Sequence, residues 1–282
     1  MKILVTGALG FSAHHLVELI RGEPGYELYL TDRVSGGPNR ILRCDLTQKK
    51  SVEALIAKIR PERIYHLAGS YTNDYDVDYP ANVLSAKNIL DALLKNKVSA
   101  RVLLIGSSAE YGFIRPEDNP VNENHALNPA QVYGLTKVYQ THLMNFYCKV
   151  HQMEIVMART FNLFGDGNRI SALMFVGKVC QQIKKVKAGK LSRITVGNLE
   201  AKRDYIDIRE AVKYYQKIME RGVAGQVYNV GSGTSIKMRD LLAQLLREAG
   251  LGIDLVDENR PSIADKTDIP EIYADLEKLQ GL

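Results

Sequence analysis

The feature that most narrows what this chain can fold into is its first fourteen residues, MKILVTGALGFSAH. An apolar strand over 2–6 runs straight into a turn with glycines at 7 and 10, and a helix-period segment follows over 12–21. Gly7 and Gly10 let the backbone turn tightly and come close to a ligand. A helix starting there aims its unpaired N–H groups and positive dipole end at the same point, which suits a pyrophosphate. The spacing is Gly-x-x-Gly-x-x-Ala (Gly7, Gly10, Ala13) rather than the Gly-x-Gly-x-x-Gly dinucleotide fingerprint. In isolation it would also fit a tight turn with no ligand. The rest of the chain has to decide.

Short apolar runs alternate with amphipathic stretches through the first two-thirds. Strands are expected at 2–6, 27–31, 40–43, 63–67, 101–105 and 154–159, with another at 227–230. Helix-period segments cover 12–21, 51–60, 81–95 and 130–150. This rhythm predicts an α/β fold: a Rossmann-like, doubly wound parallel sheet whose strand C-terminal ends form the ligand-binding edge. From Phe164 the rhythm changes to a loop at 165–168, a helix at 171–186, a short strand at 194–197 and a helix at 238–249. At 282 residues the chain is long for one core. We therefore expect a dinucleotide-binding domain over 1–163, with 205–231 returning to it. A smaller α/β substrate-binding lobe is expected from 164–204 and 232–282.

Composition excludes more than it assigns. The net charge of +5 is mild and gathers at Lys184, Lys185, Lys187, Lys190 and Arg193. It reads as a solvated helix face or a basic approach to an anionic substrate. No basic–aromatic pattern points to nucleic acid, and no apolar run approaches the ~20 residues a membrane span needs. Cys44, Cys148 and Cys180 have no metal-type spacing and fit reduced thiols in a cytoplasmic protein. No metal is expected.

Asp32 ends the second strand, where an acid accepts hydrogen bonds from adenosine ribose hydroxyls. Arg33 beside it could hold a 2′-phosphate, so NAD(H) and NADP(H) both stay open. Asp45, after the third strand, falls near the adenine. Of the 15 tyrosines only Tyr133 has a lysine four positions on, Lys137. Asn128-Pro129 starts that helix, so phenol and ammonium share a face. The ammonium is expected to favour the phenolate and bring Tyr133 toward working range for acid–base chemistry. Gly134 implies a close neighbour. Ser107 and Ser108, after the fifth strand, can donate a hydrogen bond to a reacting oxygen. His66 reads as a packed core histidine rather than a catalyst.

The runs TGALGF (6–11), HLAG (66–69), GSSAEYG (106–112), YGLTK (133–137) and RTFNLFG (159–165), with Asp32, resemble one family. It is the extended short-chain dehydrogenase/reductases, the NAD-dependent epimerase/dehydratases that modify nucleotide sugars. The runs VGNLEAKRDYIDIREAV (196–212) and YNVGSG (228–233), with Arg260-Pro261-Ser262, are most similar to its GDP-4-keto-6-deoxy-D-mannose reductase branch. The resemblance implies that Tyr133 is the general acid–base, that Lys137 binds the nicotinamide ribose and tunes it, and that Ser107 positions the sugar oxygen. It implies NAD(H) or NADP(H) held by Gly7, Gly10, Phe11, Asp32, Arg33, Asp45, Leu46, Leu67, Ala68, Gly69 and Asn82, together with Tyr133 and Lys137. Ser108, Asn162, Arg203 and Arg260 would meet the nucleotide sugar.

The implied reaction is reduction of the C4 ketone of a nucleotide-linked 4-keto-6-deoxy sugar, GDP-linked by preference. A 4-epimerase with retained NAD is the alternative; a 4,6-dehydratase or a non-catalytic dinucleotide sensor ranks lower. Related dehydratases carry a carboxylate three residues before the Gly of the Tyr-Gly pair. Here that position is Ala109, and on extended backbone the adjacent Glu110 points the other way. In relatives, two helices per subunit, here 81–95 and 130–150, pair into a four-helix bundle, so a homodimer is implied.

Overall fold

The computed structural model describes residues 1–34, 41–165, 170–259 and 269–282. In chain order the first half runs β1 (Lys2–Thr6), α1 (Phe11–Ile20), β2 (Glu27–Asp32), β3 (Leu42–Arg43), α2 (Lys49–Ile59), β4 (Arg63–His66) and α3 (Tyr75–Tyr79). It continues with α4 (Ser85–Lys95), β5 (Arg101–Ser107), α5 (Val132–His151), β6 (Ile155–Thr160) and β7 (Asn162–Phe164). Then come α6 (Phe175–Lys187), β8 (Ile194–Val196), β9 (Lys202–Arg203), β10 (Tyr205–Asp207), α7 (Ile208–Arg221) and β11 (Val227–Val230). The chain closes with β12 (Ile236–Lys237), α8 (Met238–Glu248), β13 (Val256–Glu258), β14 (Glu271–Ile272) and α9 (Glu277–Gln280).

Seven strands form one sheet in the order β11-β6-β5-β4-β1-β2-β3, every pair parallel. The order reverses beside β1, so the strand ends splay there and open a crevice. Because successive side chains alternate between faces, Ile3 and Val5 join one core with α1 and α7, while Leu4 joins another with α2, α4 and α5. Both faces are covered, as an all-parallel sheet requires.

Beyond the sheet lie short pairings: β10 with β7, β13 with β8, and β9 between β12 and β14. With α6 and α8 they enclose a separate apolar cluster around Val179, Leu199, Leu242 and Leu246. Asp204, fully buried between β9 and β10, holds this region together. Its carboxylate accepts from the Ser232 amide and hydroxyl (2.7 and 2.8 Å) and from the Gly233 and Ala274 amides (both 3.1 Å).

Five expectations need correction. The helix expected to begin at Asn128-Pro129 begins at Val132, with Gln131 at its N-cap. The strand expected at 101–105 continues through Ser107, carrying that residue on the sheet's edge. The strand expected at 40–43 is only Leu42–Arg43. The helix expected at 81–95 starts at Ser85, after a π-helical turn over Pro80–Leu84 that follows directly on α3; Pro80 has no N–H for an α-helical bond, and the Ser85 amide reaches its carbonyl instead. The helix expected at 171–186 starts at Phe175. The sequence reading also passed over α7, which buries Ile208, Ala211, Val212, Tyr215, Ile218 and Met219 in a regular helical stripe.

Candidate active site

The turn after β1 is built around contacts no other residue would permit. Gly7 has φ +66°, and a Cβ there would lie 2.7 Å from the Ala68 nitrogen. Gly10 caps α1, with its N–H on the Gly7 carbonyl at 2.8 Å. No side chain caps that helix, so its first N–H groups and positive end are presented to the crevice. Ala13 is buried against the sheet. The Asp32 carboxylate stands at the mouth of this turn, accepting the Leu9 amide at 3.1 Å and the Arg33 amide at 2.7 Å. Arg33 itself is exposed. Asp45 folds back on its own turn, accepting both the Thr47 amide (2.9 Å) and hydroxyl (2.7 Å), and Leu46 is buried in the core. Phe11 packs where the sheet's core meets the second lobe.

The other end of the crevice carries Ser107, Tyr133 and Lys137. A 3-10 turn at Ser108–Glu110 is capped by the Ser107 hydroxyl, which accepts the Ala109 amide at 3.2 Å. Gly134 explains itself here: a Cβ on it would lie 2.4 Å from the Ala109 carbonyl oxygen. Only a glycine lets α5 approach the turn that bears the serine. Ser107 hydrogen-bonds Tyr133, yet the phenol is pushed well above its ordinary value, chiefly by burial, with Glu110 adding to the rise. The phenol is therefore not brought down toward working range, contrary to the expectation drawn from the Lys137 ammonium one turn away. Lys137 is buried and directs its ammonium at the Ile105 carbonyl and the Gln140 amide oxygen, both at 2.9 Å. It sits 5.7 Å from the centroid of the Tyr133 ring. Burial presses it down to about 8, with Glu110 and Asp78 resisting.

Asn82, expected at the cofactor, is buried beside Gly69 and braces the loop there: Oδ1 accepts from Ser70 N–H (2.8 Å), and Nδ2 donates to the Ser70 carbonyl (3.0 Å) and the Thr136 hydroxyl (2.9 Å). It pins the 69–71 loop to α5 from behind. A Cβ on Gly69 would lie 2.8 Å from its Oδ1.

His66 sits in the middle of a proton-ordered chain. The Ala68 amide donates to the Thr6 hydroxyl (3.2 Å), which pairs with His66 Nδ1 (2.9 Å). His66 Nε2 pairs with Ser85 (3.3 Å), whose hydroxyl donates to the Ala81 carbonyl (2.5 Å). Ser85's only proton is committed, so the Nε2–H tautomer is the one that satisfies every partner. Burial, then the Lys137 charge, lowers His66 to about 3. It is a neutral structural residue.

A cleft of about 870 Å³ opens over the Ser107–Tyr133–Lys137 end of the crevice, within the range of small-molecule sites. It is lined by Leu67, Gly69, Ser107, Ser108, Tyr133 and Lys137 from the sheet side, and by Asn162 and Arg203 beyond it. Gly7, Gly10 and Asp32 lie outside that lining, along the open edge. Asn162 donates from Nδ2 to the Asp204 carbonyl at 3.0 Å, tying the cleft wall to the β9–β10 junction. Arg260 lies outside the described residues. Sequence reasoning missed Tyr71, whose ring meets Tyr133 edge-on at 4.6 Å. It also missed Thr160 and Tyr215, which line the cleft and share a 2.9 Å hydroxyl contact. Among the described residues the lining has no Asp or Glu. Glu110 is fully buried and turned inward to Arg159 and Thr141.

The model of the NAD dependent epimerase/dehydratase family matches residues 3–231. The chain belongs to that family. Its members are NAD(P)-dependent nucleotide-sugar enzymes of the extended short-chain dehydrogenase/reductase type. The chain is 28% identical over 268 residues to GDP-6-deoxy-D-mannose reductase of Pseudomonas aeruginosa, covering 91% of this chain and 83% of that protein. It is 26% identical over 283 residues to GDP-6-deoxy-D-talose 4-dehydrogenase of Aggregatibacter actinomycetemcomitans, covering 99% and 90%. The solved structure of RMD from Pseudomonas aeruginosa complexed with NADPH shares the fold, with TM-score 0.85 at 24% identity over 99% of this chain and 91% of that one. The family is NAD dependent by its description. The Gly7–Ala68 contact and the uncapped α1 terminus form a cradle that a side chain would fill, which fits a dinucleotide. Among the described residues no helix is long and apolar enough to cross a membrane.

Proposed function

We propose that this enzyme reduces the C4 ketone of a nucleotide-linked 4-keto-6-deoxy sugar, with GDP-4-keto-6-deoxy-D-mannose as the favoured substrate and GDP-D-rhamnose as the product. The observation that carries the reading is a cleft with a phenol, a serine and a lysine but no carboxylate facing in among the described residues. Such a cleft can protonate an oxygen, whereas eliminating water across two carbons calls for a further acid–base group.

The bound nicotinamide supplies the hydride. Gly7, Gly10 and the α1 terminus would hold its pyrophosphate, Asp32 the adenosine ribose, and Lys137 the nicotinamide ribose. Tyr133 gives its proton from Oη to the oxygen that gains charge at C4, and the Ser107 hydroxyl hydrogen-bonds the same oxygen. Burial keeps Tyr133 protonated at neutral pH, the form a reduction needs. Asn162 and Arg203 would take the diphosphate and nucleotide, with the region 164–204 and 232–282 acting as the sugar-nucleotide lobe.

Single-turnover oxidation of NADPH or NADH by GDP-4-keto-6-deoxy-D-mannose tests the reading. Loss of absorbance at 340 nm is expected; none at saturating ketone, with the cofactor bound, refutes this substrate. An epimerase uses the same triad but keeps its NAD, so stoichiometric NAD released by acid from purified protein would favour that second reading.

A further inference from the structure

Glu110 and Arg159 form an ion pair sealed from solvent, Oε2 to Nη2 at 2.9 Å, with side chains 0% and 2% exposed. Replacing such a pair wholesale by apolar residues is often neutral or stabilising, so stability alone does not account for it here. It does supply an acceptor that an apolar pair could not. Glu110 Oε1 accepts the Ser107 amide at 2.8 Å, and Oε2 accepts the Thr141 hydroxyl at 2.6 Å. Thr141 stands one helical turn past Lys137. A single carboxylate thus ties the end of β5 to the helix carrying Tyr133 and Lys137. Arg159 braces it from β6 and donates to the Tyr111 hydroxyl (3.1 Å), which donates in turn to Asn229 Oδ1 (2.7 Å). The carboxylate fits so closely that a Cβ on Gly106 would lie 2.5 Å from Oε1.

We propose that Glu110, braced by Arg159, is a positioning residue that sets Ser107 against Tyr133 and Lys137. The proposal rests on the catalytic reading of those three. The charge of Glu110 also acts on them, raising the proton affinity of both Tyr133 and Lys137. The other groups facing the pair are Ser107, Tyr71 and Tyr215 around Tyr133, and Asp78 and His66 around Lys137.

The test is a protein carrying Glu110→Leu with Arg159→Met, which leaves no unpaired buried charge. With GDP-4-keto-6-deoxy-D-mannose, kcat should fall about 10- to 100-fold, since small displacements of reacting groups are costly. The cofactor KM should stay within about threefold. Wild-type kcat in the folded variant overturns the proposal. Should the variant not fold, Thr141→Val decides: kcat about three- to tenfold lower supports the proposal, and unchanged kcat overturns it. Ser107→Ala separates the two readings, because unimpaired turnover there would remove the catalytic assignment itself. If wild type does not turn over this ketone, a crystal structure of the double variant decides without substrate: a Ser107 displaced from Tyr133 and Lys137 supports the proposal, and an unmoved one overturns it.

Discussion

Burial acts on Tyr133 and Lys137 in opposite senses, holding the proton on the phenol while loosening it from the amine. Tyr133→Phe should therefore cost the proton donor and little else. We expect turnover to drop roughly 10²- to 10⁴-fold with cofactor affinity unchanged, and turnover within tenfold of wild type would refute the assignment. Lys137 sits near 8 in the folded protein against an ordinary 10.5. Between those values the unfolded chain binds the extra proton, so stability rises with pH across the window, and below about 8 the whole penalty is felt, about 3 kcal/mol. In cofactor-free protein the urea midpoint of wild type should gain on that of Lys137→Met from pH 8 to 10.5; parallel curves would contradict this. Thr6 is the joint in the His66 chain. Thr6→Val leaves His66 Nδ1 and the Ala68 amide without their partner, and thermal unfolding should show a loss of about 1–3 kcal/mol.

At the scale of elements, Gly134→Ala sets helix propensity against sterics. Propensity alone would favour alanine by about 1 kcal/mol. The 2.4 Å approach to the Ala109 carbonyl is backbone against backbone, with nothing flexible to give way, and such overpacking costs about 1–3 kcal/mol. We expect a less stable protein in urea; a stabilised one would show that the turn yields. This glycine also shows what the sequence carried. A mid-helix glycine beside the Tyr-x3-Lys pair announced a close neighbour, but not that the neighbour is the turn after Ser107, since that contact is long-range. The same limit applies to Glu110: it does turn away from the cleft, but on a 3-10 turn rather than on the extended backbone that expectation assumed, and nothing local predicted Arg159 as its partner. The sheet was legible because its strands are apolar on both faces, whereas pairings as short as Lys202–Arg203 have no period to read. The brace that Asn82 puts on the 69–71 loop was not legible, because an amide beside a cofactor loop and an amide bracing that loop look alike in sequence.

Across the whole molecule, the outer face of α3 and α5 leaves Tyr75, Val77, Phe146 and Val150 about half exposed. Tyr75 stacks on Tyr79, which meets Tyr139 edge-on. The helices expected to pair are 81–95 and 130–150; α4 turns most of its apolar residues into the core, and the exposed stripe suits self-association through α3 and α5 instead. Light scattering should give the mass of a dimer for the native chain and of a monomer for Phe146→Glu with Val150→Glu; a monomeric native chain would remove this expectation. The cleft gathers residues from both ends of the chain, from Ser12 to Ile269 and Ile272. The late contribution arrives on β14, which lies alongside β9 and so braces the strand bearing Arg203. During synthesis, then, a ribosome-tethered chain would carry every triad member long before it possessed a finished wall. Competence to hold a sugar nucleotide would be acquired only once β14 is made, after the dinucleotide edge had already been translated.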